Sequence, residues 1–185
     1  MMRSMKRLDV GCGRDKMPGA IGMDINPRSG ADVIHDMEVT PWPFENDAFD
    51  YIRAIDVLEH VDNFIPAMEE IYRIARPNAE VEIRMPFMSS CNIATDPTHR
   101  RGATSRTFDY FDPKKDLAKY AYSKARFELE EFHYVRGYNT GVGTVLELVD
   151  KALVPLIERF ALTYELYFPY IYPMHDISFR LRVKK

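Results

Sequence analysis

The chain has almost no cysteine: Cys12 and Cys91 are the only two in 185 residues. They have no paired spacing, which excludes a disulfide framework and a cysteine-based metal finger and fits a reducing compartment. An excess of one charge is missing too. Lys and Arg number 25 against 28 Asp and Glu, net −3, so binding to nucleic acid in general is not expected. No apolar run reaches membrane length, because Glu147, Asp150, Lys151, Glu158 and Arg159 interrupt the most apolar stretch, 144–162. The basic residues near the start are followed by no apolar core, so no secretory signal is read there. Repeats and low-complexity segments are also absent. What remains is the expectation of one cytoplasmic domain over residues 1–185, long enough for a substantial core.

Glycine is sparse as well, and its placement is telling. Leu8-Asp9-Val10 has the character of a buried strand and runs directly into Gly11-Cys12-Gly13. Two glycines two apart remove the Cβ atoms that would hold a ligand away from the backbone. Such a turn at the carboxyl end of a central strand is where open α/β sheets place a nucleotide. Asp9, just before the turn, argues for a ligand with a positive group. Ala20 to Asp24 reads as a second strand whose terminal acid suits ribose hydroxyls, and Ala31 to His35 as a third ending at Asp36. Only six residues, Arg14 to Gly19, separate the turn from the second strand. A parallel crossover normally needs a dozen or more, so its helix is missing or cut to one turn. A dinucleotide fingerprint is disfavoured: Lys16 stands where its third glycine belongs, and Asp24 comes too early.

Further along, Phe49 to Ile55 reads as strand, with Asp56-Val57-Leu58-Glu59-His60 after it. A helix follows from Asp62 or Asn63 to about Ala75, with Phe64, Ile65, Met68, Ile71, Tyr72 and Ala75 on one face. Glu80 to Met85 alternates as a strand, 87–113 is a long connection, Arg126 to Arg136 is strand-like, and Ile177 to Val183 alternates cleanly as the last strand. Thr144 and Glu147 form a capping box for a helix that Pro155 should kink. Tyr164, Tyr167, Phe168, Tyr170 and Tyr172 read as core and edge packing, with a homodimer interface or substrate wall as the second reading.

With Leu-Asp-Val-Gly-Cys-Gly, Gly22-Met-Asp-Ile-Asn-Pro27 and His35-Asp36-Met37, the chain resembles the class I S-adenosylmethionine-dependent methyltransferases. The resemblance covers roughly residues 6–112. It implies a Rossmann-like, mostly parallel sheet of seven strands with the last antiparallel, flanked by helices, and a substrate-side loop over 87–113. It also implies S-adenosylmethionine as cofactor and transfer of its methyl group to a small acceptor. Asp9, Gly11, Gly13, Arg14, Asp24, Ile25, Asp36, Met37 and Asp56 are the expected cofactor residues. Asp24 takes the ribose diol, Ile25 and Met37 sandwich the adenine, Asp36 accepts from its amino group, and Asp56 lies near the methionine moiety. With the crossover helix cut short, Arg14 is the nearest cation for the methionine carboxylate, and Lys16 the alternative.

His60 and His99 are the candidate general bases, since imidazole accepts a proton near neutrality. His99, Arg100 and Arg101 are the candidate substrate residues. Between His99 and Arg126 the net charge is +5, which would draw in an anionic acceptor if it is more than a solvated face. The histidines are scattered, so no metal site is read. Two other readings remain: an idle nucleotide-binding module that recruits partners, and an NAD-dependent oxidoreductase.

Overall fold

The computed structural model describes residues 5–136 and the backbone from 143 onward, with side chains from 148. Seven strands form one sheet: β1 (Arg7–Val10), β2 (Ile21–Asp24), β3 (Val33–Ile34), β4 (Phe49–Ile55), β5 (Ala75–Pro86), β6 (Phe127–Val135) and β7 (Asp176–Val183). Their order is β3-β2-β1-β4-β5-β7-β6. The first five run parallel, and β7 lies antiparallel between β5 and β6. The central strands are apolar because both faces are covered: Leu8, Val10, Ile52, Ala54, Val81 and Ile83 are fully buried. β7 alternates instead, with Ile177, Phe179, Leu181 and Val183 inward.

Helix α1 (Phe64–Ile74) buries Ala67, Met68, Ile71 and Ile74, and Pro66 sits harmlessly in its first turn. The chain reverses out of α1 at Asn78, whose φ of 63° is the left-handed conformation Asn tolerates. There the pairing of β4 with β5 slips, between Phe49 and Tyr51. The long connection from β5 to β6 holds a four-residue helix, α2 (Asn92–Thr95), and a 3-10 turn over Asp116–Tyr120. Helices α3 (Gly143–Arg159) and α4 (Ala161–Tyr167) follow β6, with Pro155 inside α3. The Thr144 and Glu147 capping pair lies outside the described residues. No described helix is long and apolar enough to cross a membrane. Of the aromatic cluster, Tyr164 is in the core, whereas Tyr167, Phe168 and Tyr170 are exposed, so packing accounts for only part of it.

Two features position the site. No helix joins β1 to β2; the link is a run of turns over residues 11–20. And β1 lies between β2 and β4, where the order of connection reverses, the place such sheets leave a crevice at their carboxyl ends.

Candidate functional site

Gly11 and Gly13 end β1 with φ of 62° and 53°, conformations that glycine adopts without strain. The turn is tied to its neighbours by the N–H groups of Gly11 and Cys12, which donate to the Met23 carbonyl at 2.7 and 3.2 Å, and by Gly30 N–H, which donates to Gly13 O at 2.7 Å. Asp24, at the end of β2, accepts from Gly13 N–H at 2.8 Å and from Asn26 N–H at 2.7 Å, one on each carboxylate oxygen. Its orientation is therefore fixed, with a lone pair on each oxygen left for a ligand. Asp36 accepts from Glu38 N–H on Oδ1 at 2.9 Å and keeps Oδ2 open. Gly11, Asp24, Ile25, Asp36, Met37 and Asp56 line one cleft of about 470 Å³, within the size range of small-molecule sites. Gly13 stands behind it as the donor to Asp24.

Two of the expected cofactor residues lie elsewhere. Asp9 is 1% exposed and faces away from the cleft, into a bidentate pair with Arg53 at 2.9 and 2.7 Å. Its Oδ2 also accepts from Met17 N–H at 2.7 Å. With those donors around it, Asp9 is held by the protein itself and does not line the cleft. Arg14 is exposed on the turn and does not line the cleft. Lys16 is committed to Asp32 at 2.8 Å. Burial pushes the Cys12 thiol up, in keeping with a small filler in the turn.

A second cavity, about 530 Å³, shares Asp56 and His60 with the cleft and adds Glu59, Arg84, His99 and Asp176. His60 and His99, 39 positions apart in the chain, meet here edge to face with ring centroids 4.7 Å apart. Arg100 N–H donates to Glu59 O at 2.7 Å, the backbone tie that brings the 96–101 loop against the end of β4. Thr98 Oγ1 donates to Asp96 at 2.6 Å and so must accept from His60 Nδ1–H at 2.8 Å. That chain fixes the tautomer and leaves the lone pair on His60 Nε2. Burial lowers the His60 pKa, and the neighbouring His99 adds to this. Burial, chiefly, aided by Asp56 and Asp176, pushes the Glu59 carboxyl up to about 8.

This cavity bears on two sequence expectations. Glu59, His60 and His99 each bring a ligand atom within 4.8 Å of the others, a convergence that the linear spacing did not show. The arginines do not converge on an anion: Arg100 pairs with exposed Asp62 at 3.1 Å, and Arg101 donates to Asp62 O and lies over the Phe64 ring at 5.3 Å. Arg101 lines a separate, mainly apolar cavity of about 670 Å³, together with Arg106. Other charges of the +5 segment are also matched, Arg106 by Asp109 and Lys114 by Glu128. Around His60 and His99 the carboxylates of Asp56, Glu59, Asp96 and Asp176 outnumber the single Arg84. Asp56 holds that arginine through Oδ1 at 2.9 Å and through a second, shorter contact.

A family model described as a methyltransferase domain matches residues 2–142. No curated protein matches significantly. Among solved structures, the chain is similar to a putative methyltransferase from Bacillus halodurans C-125, with 15% identity over 98% of this chain and 93% of that one and a TM-score of 0.62. It is similar also to an S-adenosylmethionine-dependent methyltransferase from Archaeoglobus fulgidus, at 17% identity over 96% and 86%, TM-score 0.57. A third, phosphoethanolamine N-methyltransferase 2 of Haemonchus contortus in complex with S-adenosylmethionine, is 16% identical over all of this chain and 50% of that one, TM-score 0.57.

Proposed function

The chain belongs to the methyltransferase-domain family, and from that premise we propose that it transfers a methyl group from S-adenosylmethionine to a small molecule seated beside Glu59, His60 and His99. The observation that carries this reading is the pair of cavities that meet at Asp56 and His60. One has the acids and apolar residues a nucleoside needs. The other offers a proton acceptor within reach of the first.

The cleft fits S-adenosylmethionine on its own chemistry. The fixed Asp24 carboxylate suits two vicinal hydroxyls, and Asp36 Oδ2 suits an exocyclic amine. Ile25, 63% exposed, and the partly buried Met37 supply apolar faces for a flat ring. When bound, that cofactor supplies a methyl group on a sulfonium, open to in-line displacement. The protein's share is alignment and removal of the acceptor's proton. The lone pair on His60 Nε2 is the base for that proton, oriented by Thr98 and Asp96. His99 packs against its ring. The acid-rich lining favours a neutral or cationic acceptor, an alcohol or amine, over an anion.

Asp24→Ala is expected to weaken S-adenosylmethionine binding about 10- to 100-fold by calorimetry, since hydrogen bonds to a charged acceptor contribute about 1.5–3 kcal/mol. Unchanged affinity would remove Asp24 from the site and the nucleoside assignment with it. Arg14 lies outside the cleft, and Lys16 is held by Asp32. Arg14→Ala should therefore leave the affinity for S-adenosylmethionine and for adenosine, which has no carboxylate, unchanged by calorimetry. A several-fold loss confined to S-adenosylmethionine would put Arg14 on the methionine carboxylate.

A further inference from the structure

Glu59 is 1% exposed, yet neither of its carboxylate oxygens has a hydrogen-bond partner among the described residues. Nδ1 of His99, on a side chain 10% exposed, is in the same condition. Buried polar atoms are nearly always paired, because leaving one unpaired forfeits its hydration without replacement. The two Glu59 oxygens and His99 share one pocket with a third group, His60, whose Nδ1 is spent on the Thr98–Asp96 relay and whose Nε2 keeps its lone pair. No described residue donates a hydrogen bond to the Glu59 oxygens.

We propose that Glu59, His60 and His99 bind one divalent transition-metal ion in the cavity adjoining the cofactor cleft. The donor set is two imidazoles and one carboxylate, which suits Zn²⁺, Mn²⁺, Fe²⁺ or Co²⁺ better than the all-oxygen cations. The three ligand atoms lie within 4.8 Å of one another. Bonds of about 2.0–2.2 Å to a tetrahedral ion bring ligands roughly 3.4 Å apart, so the trio closes in by up to about 1.4 Å on binding. His99 Nε2 already stands 3.9 Å from Glu59 Oε1. His60 has the outer support characteristic of a metal-bound imidazole, its second nitrogen donating to a hydroxyl that is itself anchored on a carboxylate. Asp56, Asp96 and Asp176 surround the space with negative charge, and Arg84 is drawn off by Asp56.

Three protein ligands leave the ion at least one open position. His60 lines both spaces, so the ion would sit beside the cofactor cleft. A hydroxyl acceptor bound to it would have its pKa lowered as metal-bound water does, its proton passing to solvent. His60 would then be a ligand and not the base. Binding of the ion itself does not depend on the methyl-transfer reading; only its role does.

The test uses untagged full-length protein stripped with a chelator, dialysed and titrated with Zn²⁺, Mn²⁺ or Co²⁺ by calorimetry, with Co²⁺ also followed by its visible absorption. One ion per chain is expected, at micromolar or tighter affinity, with a nitrogen-ligated Co²⁺ spectrum. Glu59→Gln and His99→Gln should each weaken binding at least 100-fold, and His133→Gln, an exposed histidine elsewhere, should not change it. Thermal melting of each variant without metal checks that it folds. Substoichiometric binding, or binding equal in the wild type and in a folded Glu59→Gln or His99→Gln, overturns the proposal. If the wild type binds S-adenosylmethionine but no ion, the proposal falls and the methyl-transfer reading stands. If it binds the ion but not S-adenosylmethionine, the proposal stands and that reading falls.

Discussion

Gly11→Val is expected to lower S-adenosylmethionine affinity about 100-fold or more, measured by calorimetry on protein whose folding is followed in parallel by thermal melting. Two effects combine. A Cβ at Gly11 would lie 2.1 Å from Val57 Cγ2, and the backbone φ of 62° is one that a β-branched residue adopts only under strain. Val57 lines the cofactor cleft with Gly11. A side chain added at Gly11 therefore drives Val57 into the space meant for the ligand, and the loss is felt there as well as in the turn. Strain of a non-glycine residue in the left-handed region, about 1–2 kcal/mol, is read in the melting temperature, whereas the displaced Val57 is read in the affinity. Gly11→Ala should show the same loss in milder form. Combining it with Val57→Gly, which removes Cγ2 and also the Cβ that would stand 2.6 Å away, restores room and should recover most of the affinity but not the melting temperature. Full affinity in Gly11→Val would put the cleft somewhere else. Loss in the Gly11→Ala single variant without recovery in the double would mean that the turn's conformation, not Val57, governs the cleft.

The fold was largely legible because its signals are local. Leu8 and Val10, or Ile177 to Val183, announce their burial through a few neighbouring residues, and the missing crossover helix follows from counting six residues. The cleft was legible for the same reason: Gly11, Asp24, Asp36 and Asp56 each end a strand or stand within two residues of one, and strand ends converge. Pairings across the sheet were not. Asp9 stands beside the glycine turn in the chain, but its register partner in β4 is Arg53, and that strand lies 44 positions on. Side chains of register partners share a face, so the salt bridge takes Asp9 away from the ligand. Arg100 and Arg101 were read from a charge count, which carries no information on whether each charge already has a mate. The cluster of Glu59, His60 and His99 depends on a loop closing over the end of β4 through one backbone hydrogen bond. The His60-to-His99 separation has no periodicity that a linear reading could catch.

Arg53→Ala is expected to be among the most destabilising single changes in the molecule. Arg53 is the guanidinium that neutralises Asp9, an acid 1% exposed in the middle of the central strand. Without it the carboxylate keeps only the Met17 N–H as donor. Removing one member of a buried pair costs about 3–5 kcal/mol, since the other charge is left desolvated. The Arg53 side chain is 27% exposed, and water admitted through the gap puts the expected loss near the lower end, about 3 kcal/mol. For a domain of this length each kcal/mol lowers the melting temperature by about 2–4 °C, so a fall of roughly 6–12 °C should be seen. The stranded charge, not the lost packing of Arg53, is the cause. Adding Asp9→Asn to Arg53→Ala should then recover at least half of the fall, because a neutral amide can still accept from Met17 N–H. Asp9→Asn alone should cost less than Arg53→Ala alone, leaving a partly hydrated arginine in place of a buried acid. The link from Asp9 to Met17 also anchors the turns that replace the absent crossover helix. Arg53→Ala should accordingly speed amide exchange over residues 14–19 before the sheet itself opens. A double variant no more stable than Arg53→Ala would show that the pair acts through packing, and Asp9 would lose its place as the anion on which that short link is built.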